Sequence, residues 1–205
     1  MDSTKETLLK LLSETTSYEE IKLSDIPWVD LYMDQVTTFF DEKLKDFKRD
    51  DEDKILTKTM INNYAKAKLL NPVKGKKYSK DQMVLLSLIY NLKQVLSIND
   101  ISSVLYPILK NLDSKDKTVY LEQIYTENLD ISRLQADEFN SWFNEKIDFL
   151  SNKLDSSEAE NKEVKLLILT VLMLINSANT QKRMAEKIID NYFKPKKEKK
   201  HYKEE

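Results

Sequence analysis

"ILTKTMINNYAKAKLLNPVKGKKYSK" runs from Ile55 to Lys80 and holds seven lysines and no acid. The whole chain is slightly acidic, with 35 Asp plus Glu against 33 Lys plus Arg over 205 residues. Thr57 is placed to cap a helix reaching about Lys68, with apolar positions at Met60, Ile61, Tyr64, Ala67 and Leu69/Leu70. The Asn71-Pro72 pair stops that helix. The segment Val73–Ser79 then reads as a tight lysine-rich turn around Gly75, able to pair as a small β-ribbon. Ser79 with Gln82 is a capping-box signature opening the helix "KDQMVLLSLIYNLKQVL". Ser97 with Asp100 opens the next, "INDISSVLYPILKNL", which Pro107 is expected to kink or divide.

Upstream of this stretch, a short amphipathic helix is expected over Thr4–Leu12. Pro27 suits the first turn of a further helix, along which Leu31, Val36, Phe39, Phe40, Leu44 and Phe47 recur near helical spacing. Lys48–Lys54, "KRDDEDK", reads as an exposed loop. Downstream, helices are expected near Lys115–Asn128, Ala136–Leu154, Ser157–Ser177 and Thr180–Phe193. In the second of these, Phe139, Trp142, Phe143, Ile147, Leu150 and Leu154 make one apolar stripe. The third is apolar nearly all round from Val164 to Ile175, the mark of a helix buried in a core or in a subunit interface.

Composition supports a helical chain. Gly75 is the only glycine, and β-rich folds need more of them for their turns. With no cysteine there is neither a disulfide framework nor a thiolate site. The single histidine, His201, lies among tail lysines, which removes Ser-His-Asp chemistry and His-rich metal sites. One glycine excludes the Gly-rich phosphate loops. Acid clusters such as Asp50–Asp53 and Glu158–Glu163 read as exposed charge runs. No enzyme, metal or cofactor is therefore expected. The first twenty residues show no basic region followed by an apolar core, and the longest apolar run, Leu166–Ile175, is too short to span a bilayer. A soluble, cytoplasmic protein with no membrane partner is the expectation.

The segment "TKTMINNYAKAKLLNPVKGKKYSKDQMVLLSLIYNLKQVLSINDISSVL" resembles the DNA-binding domain of the mercury-resistance-type (MerR) regulators. That pattern has a recognition helix ending in an aromatic and Leu-Leu, then proline, a basic wing, and a tyrosine before a Ser-capped helix. Tyr64, Leu69 and Leu70, Pro72, the Gly75–Lys77 wing, Tyr78–Ser79 and Ser97–Ile98 fall in those places. "DLYMDQVTTFF" would be the first helix of the helix-turn-helix. Three positions depart from it: the regulators usually carry arginine where Asn62 stands, a small residue, often glycine, where Lys68 stands, and a shorter inter-helix turn than "DFKRDDEDKI". "DLYMDQV", "LTKTMINNYAKAKLL" and "KKYSKDQM" look more closely like a bacterial family of unknown function, numbered eighteen thirty-six, over roughly the first half of the chain.

The fold expected is all-α, a winged helix-turn-helix with a small β-wing followed by a helical bundle. The expected divisions are an N-terminal helix and linker over 1–23, the winged domain over 24–110, the bundle over 111–193 and a charged, disordered tail over 194–205. The implied function is a transcriptional regulator binding duplex DNA. Its contacts would be Lys58, Thr59, Asn62, Asn63 and Lys66 on the recognition helix and Lys74, Lys76 and Lys77 in the wing. Positive charge on one face neutralises phosphates and releases counterions. No arginine lies between Arg49 and Arg133, so a guanidinium fork on guanine is absent from this segment. Asn62 and Asn63 can pair with adenine and Thr59 can touch a thymine methyl, which implies A·T-containing sites. Local capping, or a bond to the inter-helix loop, is the competing role for the two asparagines. For Trp28, Tyr32, Tyr64, Tyr78 and Tyr90, packing is expected over base stacking, and Trp142 and Phe143 are assigned to packing over an effector pocket. The alternatives are a protein-binding module on the same fold, docking an acidic partner, and a small-molecule sensor with a pocket between the second-half helices. A homodimer through the C-terminal helices and burial of those helices within one monomer are equally consistent with the pattern.

Overall fold

A computed structural model describes residues 2–17, 20–73, 75–110, 115–156 and 160–194. Its elements are α1 (Asp2–Thr16), β1 (Leu31–Tyr32), α2 (Met33–Lys43), α3 (Lys58–Lys66), β2 (Lys77–Tyr78), α4 (Lys80–Lys93), α5 (Ile98–Lys110), α6 (Lys115–Asp155) and α7 (Lys162–Ile188). Among the described residues the chain is all-α apart from one antiparallel pair of short strands. The tail from residue 195 lies outside the described residues.

Three helix starts rest on the caps expected of them. The Thr57 hydroxyl accepts from the Met60 amide at 3.1 Å. The Ser79 amide donates to Gln82 Oε1 at 3.0 Å, and the Gln82 side chain also donates to the Asn71 carbonyl at 2.7 Å. The Asp100 amide donates to the Ser97 hydroxyl at 3.2 Å. Each cap satisfies an amide that the first helical turn leaves unpaired.

Several expectations need correction. Pro27 does not open a helix: α2 begins at Met33, because Leu31 and Tyr32 are drawn into the strand pair with Lys77 and Tyr78. The lysine-rich turn therefore does not pair with itself; its strand finds its partners 45 and 47 residues upstream in register Tyr32↔Lys77 and Leu31↔Tyr78. Pro107 does not divide α5, which runs unbroken with Ile101, Leu105 and Ile108 buried along one face. The helices expected at Lys115–Asn128 and Ala136–Leu154 are one, α6, and those expected at Ser157–Ser177 and Thr180–Phe193 are likewise one, α7, continued by a π-turn at Ile189–Phe193. Neither junction holds a glycine or proline to stop propagation. The expected start at Ser157 lies outside the described residues.

Two apolar cores result. The first runs from Ile21 to Leu129 and is centred on α4, whose residues Gln82–Tyr90 are all buried. Leu121, Tyr125 and Leu129 of α6 complete it. The second joins Leu8 and Leu12 of α1, the Phe143, Ile147 and Leu154 stripe of α6, and Leu166 of α7. Phe139 and Trp142 stack at 5.6 Å against this second core. α6 thus serves both cores. α7 contributes only Leu166 and Thr170 as buried residues. With its π-turn it forms a helix long and apolar enough, by length and composition, to cross a membrane.

Candidate nucleic-acid interface

α3 is held from one side. Ile61 and Tyr64 are buried in the first core, while Lys58, Thr59, Asn62, Asn63 and Lys66 are exposed on the opposite face. Positions three and four apart share a helix face, so these five form one strip without an acid. The Asn62 and Asn63 side chains make no hydrogen bond among the described residues, so the local capping role is not seen. The helix ends in a Schellman motif: the Lys68 amide donates to the Ala65 carbonyl at 3.0 Å and the Leu69 amide to the Tyr64 carbonyl at 2.9 Å. The motif requires a left-handed residue, and Lys68 takes it with φ 60°. Buried Leu69 and Tyr64 lock the turn.

The inter-helix loop is anchored just before α3. Ile55 and Leu56 are buried, and the Lys93 ammonium donates to the Ile55 carbonyl at 2.7 Å. Burial pushes the Lys93 amine below its ordinary value, with Asp53 opposing. A cleft of about 350 Å³ lies there, lined by Phe47, Asp53, Ile55, Tyr90 and Lys93 among others. It adjoins the first core rather than the second-half helices.

Beside α3, the strand pair ties the starts of α2 and α4 together. Leu31 and Tyr78 point into the core, and Tyr32 and Lys77 point outward. The Lys77 ammonium sits 4.9 Å from the Tyr32 ring centre, and that of Lys80 sits 4.5 Å from the Trp28 ring centre. Cations are drawn to these ring faces. Gly75 and Lys76 both adopt positive φ, 59° and 61°, so the turn bends sharply and leaves Lys76 exposed. Lys74 lies outside the described residues. Tyr64, Tyr78 and Tyr90 are packed as expected. Trp28 and Tyr32 are not: they are 85% and 51% exposed. At the rim of the strand pair, no element among the described residues covers them.

The segment is acid-free only along the chain. Lys58 pairs with Asp34 at the start of α2. Lys80 pairs with Glu122 of α6 at 2.7 Å. Lys66, Lys68 and Lys76 pair with no acid among the described residues. Asp34 and Glu122 carry no sequence signal for this role, since each meets its lysine from more than twenty positions away.

The family model described as "Domain of unknown function (DUF1836)" matches residues 21–128. The chain belongs to the DUF1836 family. No curated protein and no solved structure matches it. The DUF1836 match closely follows the first core, Ile21 to Leu129, and it contains all the residues singled out above. α1, the rest of α6 and α7, which build the second core, lie outside the DUF1836 segment.

Proposed function

We propose that the DUF1836 segment is a winged helix-turn-helix of MerR-like plan that binds duplex DNA as a transcriptional regulator, acting by binding rather than turnover. The observation that supports this best is the exposed strip of α3, which has no acid of its own, beside the turn at exposed Lys76 and half-buried Lys77. In this reading α3 enters the major groove, where Asn62 or Asn63 pairs with adenine and Thr59 meets a thymine methyl. Lys58, Lys66, Lys76 and Lys77 grip phosphates. With no arginine between Arg49 and Arg133, and so none in α3 or the lysine-rich turn, phosphate contacts carry most of the affinity and A·T-containing sites are preferred.

The test is retardation of duplex DNA by the full chain across a salt series. Log affinity should fall against log salt with a slope of about 0.9 per phosphate contacted. A Lys58/Lys76/Lys77 triple alanine variant should lose affinity for all sequences alike and flatten that slope. Absence of retardation at low salt defeats the reading. A G·C-rich consensus selected from a random pool defeats the proposed base contacts. A second reading, a protein-binding module on the same fold, is favoured by Trp28, whose exposed indole is the kind of anchor found at interface centres. Its basic face would then dock an acidic protein, with binding lost on Trp28→Ala and DNA ignored.

A further inference from the structure

The face that α7 turns away from the molecule is as apolar as the face it buries. Leu166 and Thr170 are buried, and Leu169, Met173 and Leu174 pack against the second core. On the other side Val164, Leu167, Ile168, Val171, Leu172 and Ile175 are each 43–58% exposed. Single exposed aliphatics need no explanation, but six on one stretch of helix make a continuous patch. Val164, Ile168, Val171 and Ile175 follow steps of four, three and four, the spacing of a coiled-coil seam. All four are β-branched, with one preferred helical rotamer, so little side-chain freedom is lost when they interlock. Leu167 and Leu172 flank the row on its two sides. The next positions in the spacing are Ala178 and Lys182, where the seam ends.

We propose that this face of α7 is a self-association surface and that the same face of a second copy covers it. The inference is independent of the nucleic-acid reading. The six half-exposed side chains present on the order of 500 Å² of apolar surface per copy, so two copies bury about 1,000 Å², the lower bound of a specific interface. A two-fold axis lets one uncharged, self-complementary stripe meet itself without opposing like charges. A bilayer fits less well. The uncharged run Leu166–Gln181 is about 24 Å long as a helix, against about 30 Å of hydrocarbon. It includes Asn176, Ser177, Asn179, Thr180 and Gln181. To cross, α7 would also have to abandon the second core.

The test is sedimentation equilibrium of the full chain over a concentration series. The expected result is a species of twice the 24.2 kDa chain mass, with Val171→Glu weakening association by about 100-fold or more while far-UV circular dichroism stays unchanged. Val171 lies on the exposed face, so the second core does not depend on it. An equimolar mixture of Val171→Glu and Val171→Lys should recover the dimer, which rules out misfolding as the cause of the loss. A wild-type chain that stays at 24.2 kDa up to about 100 µM overturns the proposal. So does an association indifferent to both substitutions, or a monomer that floats with neutral phosphatidylcholine vesicles and is released by Val171→Glu.

Discussion

Lys68 closes α3 in the left-handed region, φ 60°, where a Cβ meets the following carbonyl. The MerR-like pattern places a small residue, often glycine, there, and the Schellman geometry supplies the physical reason. Lys68→Gly should stabilise the chain by about 1 kcal/mol, read from the midpoint of urea unfolding at unchanged slope. Tyr125 makes the opposite case. Its buried hydroxyl donates to the Ile21 carbonyl at 2.6 Å, fastening α6 to the first residue of the first core. Burial pushes the phenol up to about 12, so it remains a neutral donor throughout the neutral range. Tyr125→Phe leaves that carbonyl unpaired and should cost about 1–3 kcal/mol in the same assay. The sequence carries the helix to about Lys68, where the structure ends α3 at Lys66 and turns Lys68 left-handed; the Tyr125 partner, 104 residues away, leaves no local signal.

Among the elements, α3 bears most directly on the proposed DNA contact. In the proposed reading Asp34 would compete with phosphate for Lys58, with which it forms a largely exposed pair. Exposed pairs are weak, about 0.2–1 kcal/mol, so Asp34→Asn should raise DNA affinity only about 1.4- to fivefold at fixed salt, measured by fluorescence anisotropy. Unchanged or weakened binding would remove Lys58 from the contact set. In α5, Pro107 withholds an amide from the Ser103 carbonyl on an exposed side of an intact helix. Pro107→Ala should stabilise by about 1–3 kcal/mol, read by thermal and urea unfolding, since the buried Ile101–Leu105–Ile108 face is untouched. Helix starts at Thr57, Ser79 and Ser97 were readable because a cap bonds within three residues of itself. Pro107 does not divide α5 because its penalty is set against tertiary burial, which no local window contains.

Across the whole molecule, α7 runs back to the first half of the chain. Ile189 is buried, and the Lys194 ammonium bridges Asp100 at 2.8 Å and Asp190 at 2.7 Å. Lys194 first, then the Ser97 hydroxyl, holds the Asp100 carboxyl below its ordinary 3.8. A carboxylate lowered in the folded state stabilises it above its unfolded value, and that contribution is lost as pH falls through the folded value. Stability should therefore drop below about pH 4. Lys194→Met should raise the Asp100 value toward 3.8 and shallow the drop, which a carboxyl NMR titration would follow. The chain's local patterning was enough to specify helices, their caps and the amphipathic stripe Phe139–Leu154, because those depend on neighbours within a turn or two. Tertiary structure alone paired Lys58 with Asp34 and Tyr78 with Leu31, and left Trp28 and the Val164–Ile175 row uncovered. Such outcomes depend on which distant surfaces meet, and a contact across many residues leaves no period in the sequence to read.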